Sequence, residues 1–188
     1  TMTEHGHKLA DDVIVILNAL RALTGGTERV PKVPGWTELS ARLRAEHRTL
    51  APALARIRPL ADRLGTMPPA EALVELQRTR TFLIDTLIPH EEAEDRDVYP
   101  FLAKAVGNDD VTAALHRTHT EIFHLIRFTD RLVAEIPAEG PGPEDLTDLR
   151  RVLYGLDAIL RLHMAQEEEL YLALGDEHPE AEPVPLRA

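Results

Sequence analysis

Four long stretches of this chain carry apolar residues at steps of three and four, and every one of these stripes is interrupted by a histidine. The first reads Leu39, Leu43, His47, Leu50, Leu54, Ile57, Leu60, Leu64, and the second Leu83, Leu87, His90, Glu94, Val98, Leu102. The third reads Val111, Leu115, His119, Ile122, Ile126, Thr129, Val133, and the fourth Leu153, Leu156, Leu160, His163, Glu167, Leu170, Leu174. A period between three and four marks an amphipathic α-helix; a strand, whose sides alternate at every residue, would scatter the same positions over both faces. The chain is therefore expected to be all-α. Each histidine, and the two glutamates that follow by one turn, stands where the stripe calls for a core residue.

Prolines and glycines cut the chain between the stripes. Ahead of them, residues 8–23 form a further amphipathic pattern (Leu9, Val13, Ile16, Leu17, Leu20, Leu23) that Gly25-Gly26 ends. A Pro- and Gly-containing linker leads to Trp36. The first long helix should run to Leu64, bent at Pro52 and Pro59, each of which removes a hydrogen bond from the ladder. Pro68-Pro69 opens the next, from about Ala70 to Val106, with a kink at Pro89. Gly107-Asn108-Asp109 starts a third, to about Ile136, and the Gly- and Pro-rich 137–143 precedes a fourth, about Glu144 to Leu174. The expected organisation is an N-terminal helix and linker over 1–30, a helical domain over 37–174 and a flexible tail over 175–188.

The interruptions repeat. His47 is followed 43 residues later by His90-x-x-x-Glu94, and His119 is followed 44 residues later by His163-x-x-x-Glu167. Each half is a helical hairpin with one histidine on its first helix and a His/Glu pair on its second. Two such hairpins make an up-down-up-down four-helix bundle with four histidines and two glutamates facing one interior level. A lone His-x-x-x-Glu match carries little weight in a chain with nine histidines. A third match, His178 to Glu182, falls in a Pro-rich tail that cannot hold a helix. The doubled spacing is what counts.

Burying these groups requires a counter-charge. An unpaired buried carboxylate costs several kcal/mol, and two would consume much of the roughly 5–15 kcal/mol by which a domain is stable. Imidazole–carboxylate pairs alone are one answer; a metal ion is the simpler one. Nitrogen and carboxylate oxygen without sulfur suit iron, manganese or zinc. Two carboxylates at one level, one from each half, can bridge two ions. A pair of irons is expected, ahead of zinc or manganese.

Composition closes off other classes. There is no cysteine among the 188 residues, which excludes disulfides, thiolate metal sites and thiol catalysis. The net charge of −11 argues against nucleic acid and anionic membranes as partners. No apolar run approaches a membrane span, and the N-terminus lacks signal-peptide features, so a cytoplasmic location is expected.

The order His47, His90-x-x-x-Glu94, His119, His163-x-x-x-Glu167 resembles the hemerythrin-like, or HHE cation-binding, family over about residues 37–174. The surrounding Leu-Ile-Pro-His-Glu-Glu-Ala-Glu and Leu-Arg-Leu-His-Met-Ala-Gln-Glu-Glu-Glu make the likeness specific. It implies a bacterial non-haem di-iron protein, its irons joined by an oxo or hydroxo group, bridged by Glu94 and Glu167 and bound terminally by the four histidines. Spacing separates it from ferritin-like bundles, which use Glu-x-x-His. Oxygen-carrying members of the family use a fifth histidine on the third bundle helix, where His116 and His124 are the remaining candidates. Iron-sensing relatives use the glutamate directly after the first-pair histidine, a place held here by Glu91. Tyr99 and Tyr171 fall near the same level, where they could orient ligands or bind iron, with core packing as the expected role.

Three functions stay open. The first is a di-iron protein that binds or reacts with O₂, peroxide or nitric oxide in stress defence or iron handling, with peroxidase- or oxidase-type turnover. The second is an iron- or oxygen-responsive sensor that a protein partner reads through the N-terminal helix. The third is a structural metal bundle. Within the first, reactivity is expected over reversible carriage: the chain has one histidine fewer than the carriers, and Glu91, Glu92 and Glu168 would admit water and protons.

Overall fold

The computed structural model describes residues 35–106 and 110–173. All regular structure among them is helical. Helix α1 is Trp36–Leu54, and α2, Ile57–Arg63, continues it after a break. Helix α3 spans 69–106, α4 is Asp110–Glu135 and α5 is Pro143–Ala173. Counting α1 with α2, these are the four helices expected. The N-terminal helix expected over 8–23 and the tail 175–188 lie outside the described residues. None of the described helices is long and apolar enough to cross a membrane.

Packing divides the described residues into a larger unit within Ala45–Ala165 and a smaller one, residues 35–44 with 166–173. In the larger unit, side-chain pairs fix the helix directions. Arg63 meets Glu71 and Arg56 meets Glu75, so α2 and α3 run in opposite senses. Arg80 meets Asp130 while Asp95 meets His119, which sets α3 against α4. Gly155 packs on Leu125 and His163 meets His119, which sets α4 against α5. Tyr154 on Asp62 and Arg58 near Asp157 return α5 alongside α2. The topology is up-down-up-down.

The stripes supply the core. Leu50, Ile57, Leu60, Leu76, Leu83, Leu87, Ile122, Ile126, Leu153, Leu156 and Leu160 form one buried aliphatic cluster. Leu76 and Leu153 are fully enclosed. Leu76→Ala and Leu153→Ala should each destabilise the fold by about 2–5 kcal/mol, the range for a buried leucine whose cavity collapses only in part. A lower urea midpoint with unchanged slope checks this.

The prolines act by three different devices. Pro59 cannot donate to the carbonyl of Ala55, and the helix breaks there, between Leu54 and Ile57. Pro69 opens α3 at its first turn, where no donor is needed. Inside α3 there is no break. Two π-helical segments, Leu83–Leu87 and Glu94–Val98, interrupt the α-geometry instead. Ile88 N–H donates to Leu83 O and Tyr99 N–H to Glu94 O, each five residues back. Each segment ends two residues before a proline, Pro89 or Pro100. The wider turn takes the carbonyl four residues back, of Asp85 or Arg96, out of line with a ring that cannot donate to it. The kink expected at Pro89 is thus resolved as an extra residue in the preceding turn.

The smaller unit has its own contacts. The Trp36 and Tyr171 rings meet edge to face at 5.6 Å, and the indole N–H donates to Tyr171 O at 3.4 Å. Arg44 Nε donates to Glu168 Oε1 at 2.6 Å.

Candidate metal centre

Within the larger unit, all four bundle helices deliver polar side chains to one level. Helix α1 brings His47, α3 brings His90, Glu91 and Glu94, α4 brings His119 and α5 brings His163. They form two groups whose ligand atoms all lie within 4.8 Å of one another: His47, His90 and Glu94, and Glu91, Glu94, His119 and His163. Glu94 belongs to both. Glu167 lies in the smaller unit, fully buried, with Tyr171 Oη donating to its Oε1 at 3.3 Å.

The second group is the tighter. His119 Nε2 is 2.6 Å from Glu91 Oε2 and 2.9 Å from His163 Nε2, and His163 Nε2 is 2.9 Å from the same Glu91 oxygen. Donors at right angles around an ion at about 2.1 Å stand about 3.0 Å apart, so the three atoms have the spacing of ligands on one cation. Burial pushes the Glu91 carboxyl up, but the hydrogen bonds and positive charge of His119 and His163 outweigh it and bring the pKa down to about 2. Burial likewise pushes the His119 imidazole down, and Glu91, with Asp95 and Glu94 behind it, raises it above the usual histidine range. Without a cation the group recruits protons to balance its carboxylates.

Two atoms carry the test of fit. His90 Nε2 and Glu91 Oε1 are buried with no hydrogen-bond partner among the described residues. Such an atom costs about 1–3 kcal/mol, which a bound cation would recover. Imidazole and carboxylate donors with no sulfur fit iron, manganese or zinc.

Carboxylates behind the imidazoles aim them. Asp95 Oδ1 lies 2.9 Å from His119 Nδ1, which places the proton on Nδ1 and leaves the Nε2 lone pair facing the group. Glu46 Oε2 stands 3.4 Å from His90 Nδ1 in the same relation. Stripe reasoning missed both residues, because neither lies on a core position. Asp95→Ala should weaken metal affinity by about 10–100-fold, while Asp95→Asn, which still accepts from Nδ1–H, should keep most of it. Competition against a chelator measures this, and equal loss in both variants would mean that charge rather than orientation matters.

The expectation that Glu91 would admit water is overturned. Glu91 is 0% exposed and held by two histidines: it stands four residues after buried Leu87 and three before buried Glu94, with His90 at the edge of that series. Glu92 is exposed, and Glu168 is engaged by Arg44. His116 points outward, its side chain 65% exposed and its Nδ1 2.9 Å from Asp95 Oδ1; His124 is exposed as well. The Tyr99 ring packs in the core, with its hydroxyl 3.0 Å from His119 Nε2.

Searches found no significant match among curated proteins or solved structures. The sequence does match the Hemerythrin HHE cation binding domain over residues 38–175, a span that includes every member of both donor groups. The chain belongs to the hemerythrin HHE cation-binding domain family.

Proposed function

We propose that this protein holds two iron ions and uses them to bind or react with dioxygen, peroxide or nitric oxide. The observation that carries this is the sharing of Glu94. Its Oε1 stands 3.6 Å from His47 Nε2 and 3.7 Å from His90 Nε2, and its Oε2 3.8 Å from His119 Nε2. A carboxylate with one oxygen toward each group suits two neighbouring ions. On sequence spacing, Glu167, one turn beyond His163 along α5, is the second bridge. Iron, when bound, supplies the redox equivalents and open positions that these small molecules require.

The side chains set the rest. Glu91, Glu94, His119 and His163 give one ion four protein donors, whereas His47, His90 and Glu94 give the other three. More positions are left for an outside molecule at the three-donor ion. His47 and His90 are also the more accessible pair, 9% and 8% exposed, against 0% for His119 and His163. One turn from the four histidines stand Leu50, Leu87, Ile122 and Leu160, all buried. The alternation of helix direction puts these on one side of the centre, an apolar floor that excludes water and strengthens the electrostatics above it.

Metal analysis of the purified protein with its absorption spectrum is the test. About two irons per chain are expected, and the reduced protein should become stably oxidised in air and consume peroxide. Uptake of O₂ that is released intact under vacuum would make it a carrier. Colourless protein filled with zinc would leave the structural reading.

A further inference from the structure

Tyr99 has no part in the function proposed above. It opens the α-helical turn after the second π-helical segment and is 3% exposed. Its ring stacks on the His119 imidazole, with centroids 5.1 Å apart and planes at 27°. Near-parallel rings carry their polar tips side by side, and Tyr99 Oη lies 3.0 Å from His119 Nε2. That nitrogen also has Glu91 Oε2 at 2.6 Å and His163 Nε2 at 2.9 Å. Three donor atoms therefore surround it at distances of about 3 Å, the spacing of neighbours on one ion. Core packing accounts for the ring. It does not account for a hydroxyl set beside ligand atoms in the interior of the bundle.

We propose that Tyr99 is a further metal ligand, through Oη, of the group formed by Glu91, Glu94, His119 and His163; this rests on the metal centre described above. Binding as the phenolate breaks the O–H bond, releases one proton to solvent and forms one oxygen–metal bond. An anionic oxygen favours the more highly charged ion, so the same contact would hold iron in its ferric form.

The chain has three tyrosines, and the Tyr154 hydroxyl donates to Asp62 in a different part of the bundle. Two variants of the full chain therefore suffice, Tyr99→Phe, which keeps the stacked ring, and Tyr171→Phe. Ferric-loaded wild type should show a broad visible phenolate-to-iron charge-transfer band with enhanced phenolate modes in resonance Raman. Zinc-loaded wild type should show the ultraviolet difference spectrum of one ionised phenol. Both signals should vanish in Tyr99→Phe and persist in Tyr171→Phe, with metal content measured in each sample. Wild type that takes up metal without either signal, or signals that survive in Tyr99→Phe, would overturn the ligand assignment alone. A chain that takes up neither metal would overturn it together with the function proposed above.

Discussion

Glu94→Ala should reduce the metal content of the protein from two ions per chain to one or none. Both donor groups include this carboxylate, so its loss leaves His47 and His90 as a pair and the other group with three members. The metal-linked part of the stability has a definite sign, whatever the metal-free fold gains by losing a buried carboxylate and loses with its contacts to His47, His90 and His119. With metal, the wild type is stabilised by mass action, about 2.7 kcal/mol for each site at a hundredfold excess over Kd. The rise in Tm on adding iron should therefore shrink or disappear in Glu94→Ala while the helical circular dichroism persists. Full occupancy in a folded variant would sink the bridging role.

The second large effect separates two histidines three residues apart. His119 is fully buried and has Glu91, His163 and Tyr99 around its Nε2, with Asp95 on its other nitrogen. His116 shares that Asp95 oxygen from the outside. His119→Ala removes a metal donor and one of the two partners of a fully buried Glu91. Breaking a buried pair on one side costs about 3–5 kcal/mol, so metal-free His119→Ala should unfold at a clearly lower denaturant concentration. It should also fail to hold metal in its group. His116→Ala should stay within about 0.5 kcal/mol of wild type and keep its metal, as exposed substitutions do. Loss of metal in His116→Ala with retention in His119→Ala would mean that α4 presents a different face to the centre.

Much of this was legible in the periodicity. His47, His119 and His163 are buried where their stripes place them, and so are Leu50, Ile122 and Leu160 beside them. The helix limits at Trp36, Glu135 and Pro143 follow from ordinary proline and glycine punctuation. The resemblance pointed to Glu91, whereas the stripe put His90 in the core and Glu91, about 100° round the helix, at its edge. The structure buries Glu91 in series with Leu87 and Glu94 and sets His90 at the edge. What escaped in α3 was its two π-helical turns. The signal was present in Pro89 and Pro100, but a proline inside a helix permits a kink, a break or a widened turn, and only packing selects among them. Asp95 escaped for a different reason. It follows Glu94 in an acidic run that reads as a solvated face, and only the approach of His119 from α4 gives it a partner.

The same two widened turns govern how α3 tolerates a change in length. A π-turn holds about one residue more than an α-turn without rotating the helix on either side. Deleting the exposed Thr86 from Leu83–Leu87 lets that turn close to α-geometry, with Pro89 resisting, and leaves the residues beyond facing as before. Deleting the exposed Glu92 from the α-helical Ile88–Ala93 has no surplus to absorb it and turns Glu94 by about 100° relative to His90. The first deletion should retain metal and the second should lose it. The prolines thus keep a spare residue in the helix just ahead of the ligands, and this is the place where a chain of this kind can be shortened with its centre intact.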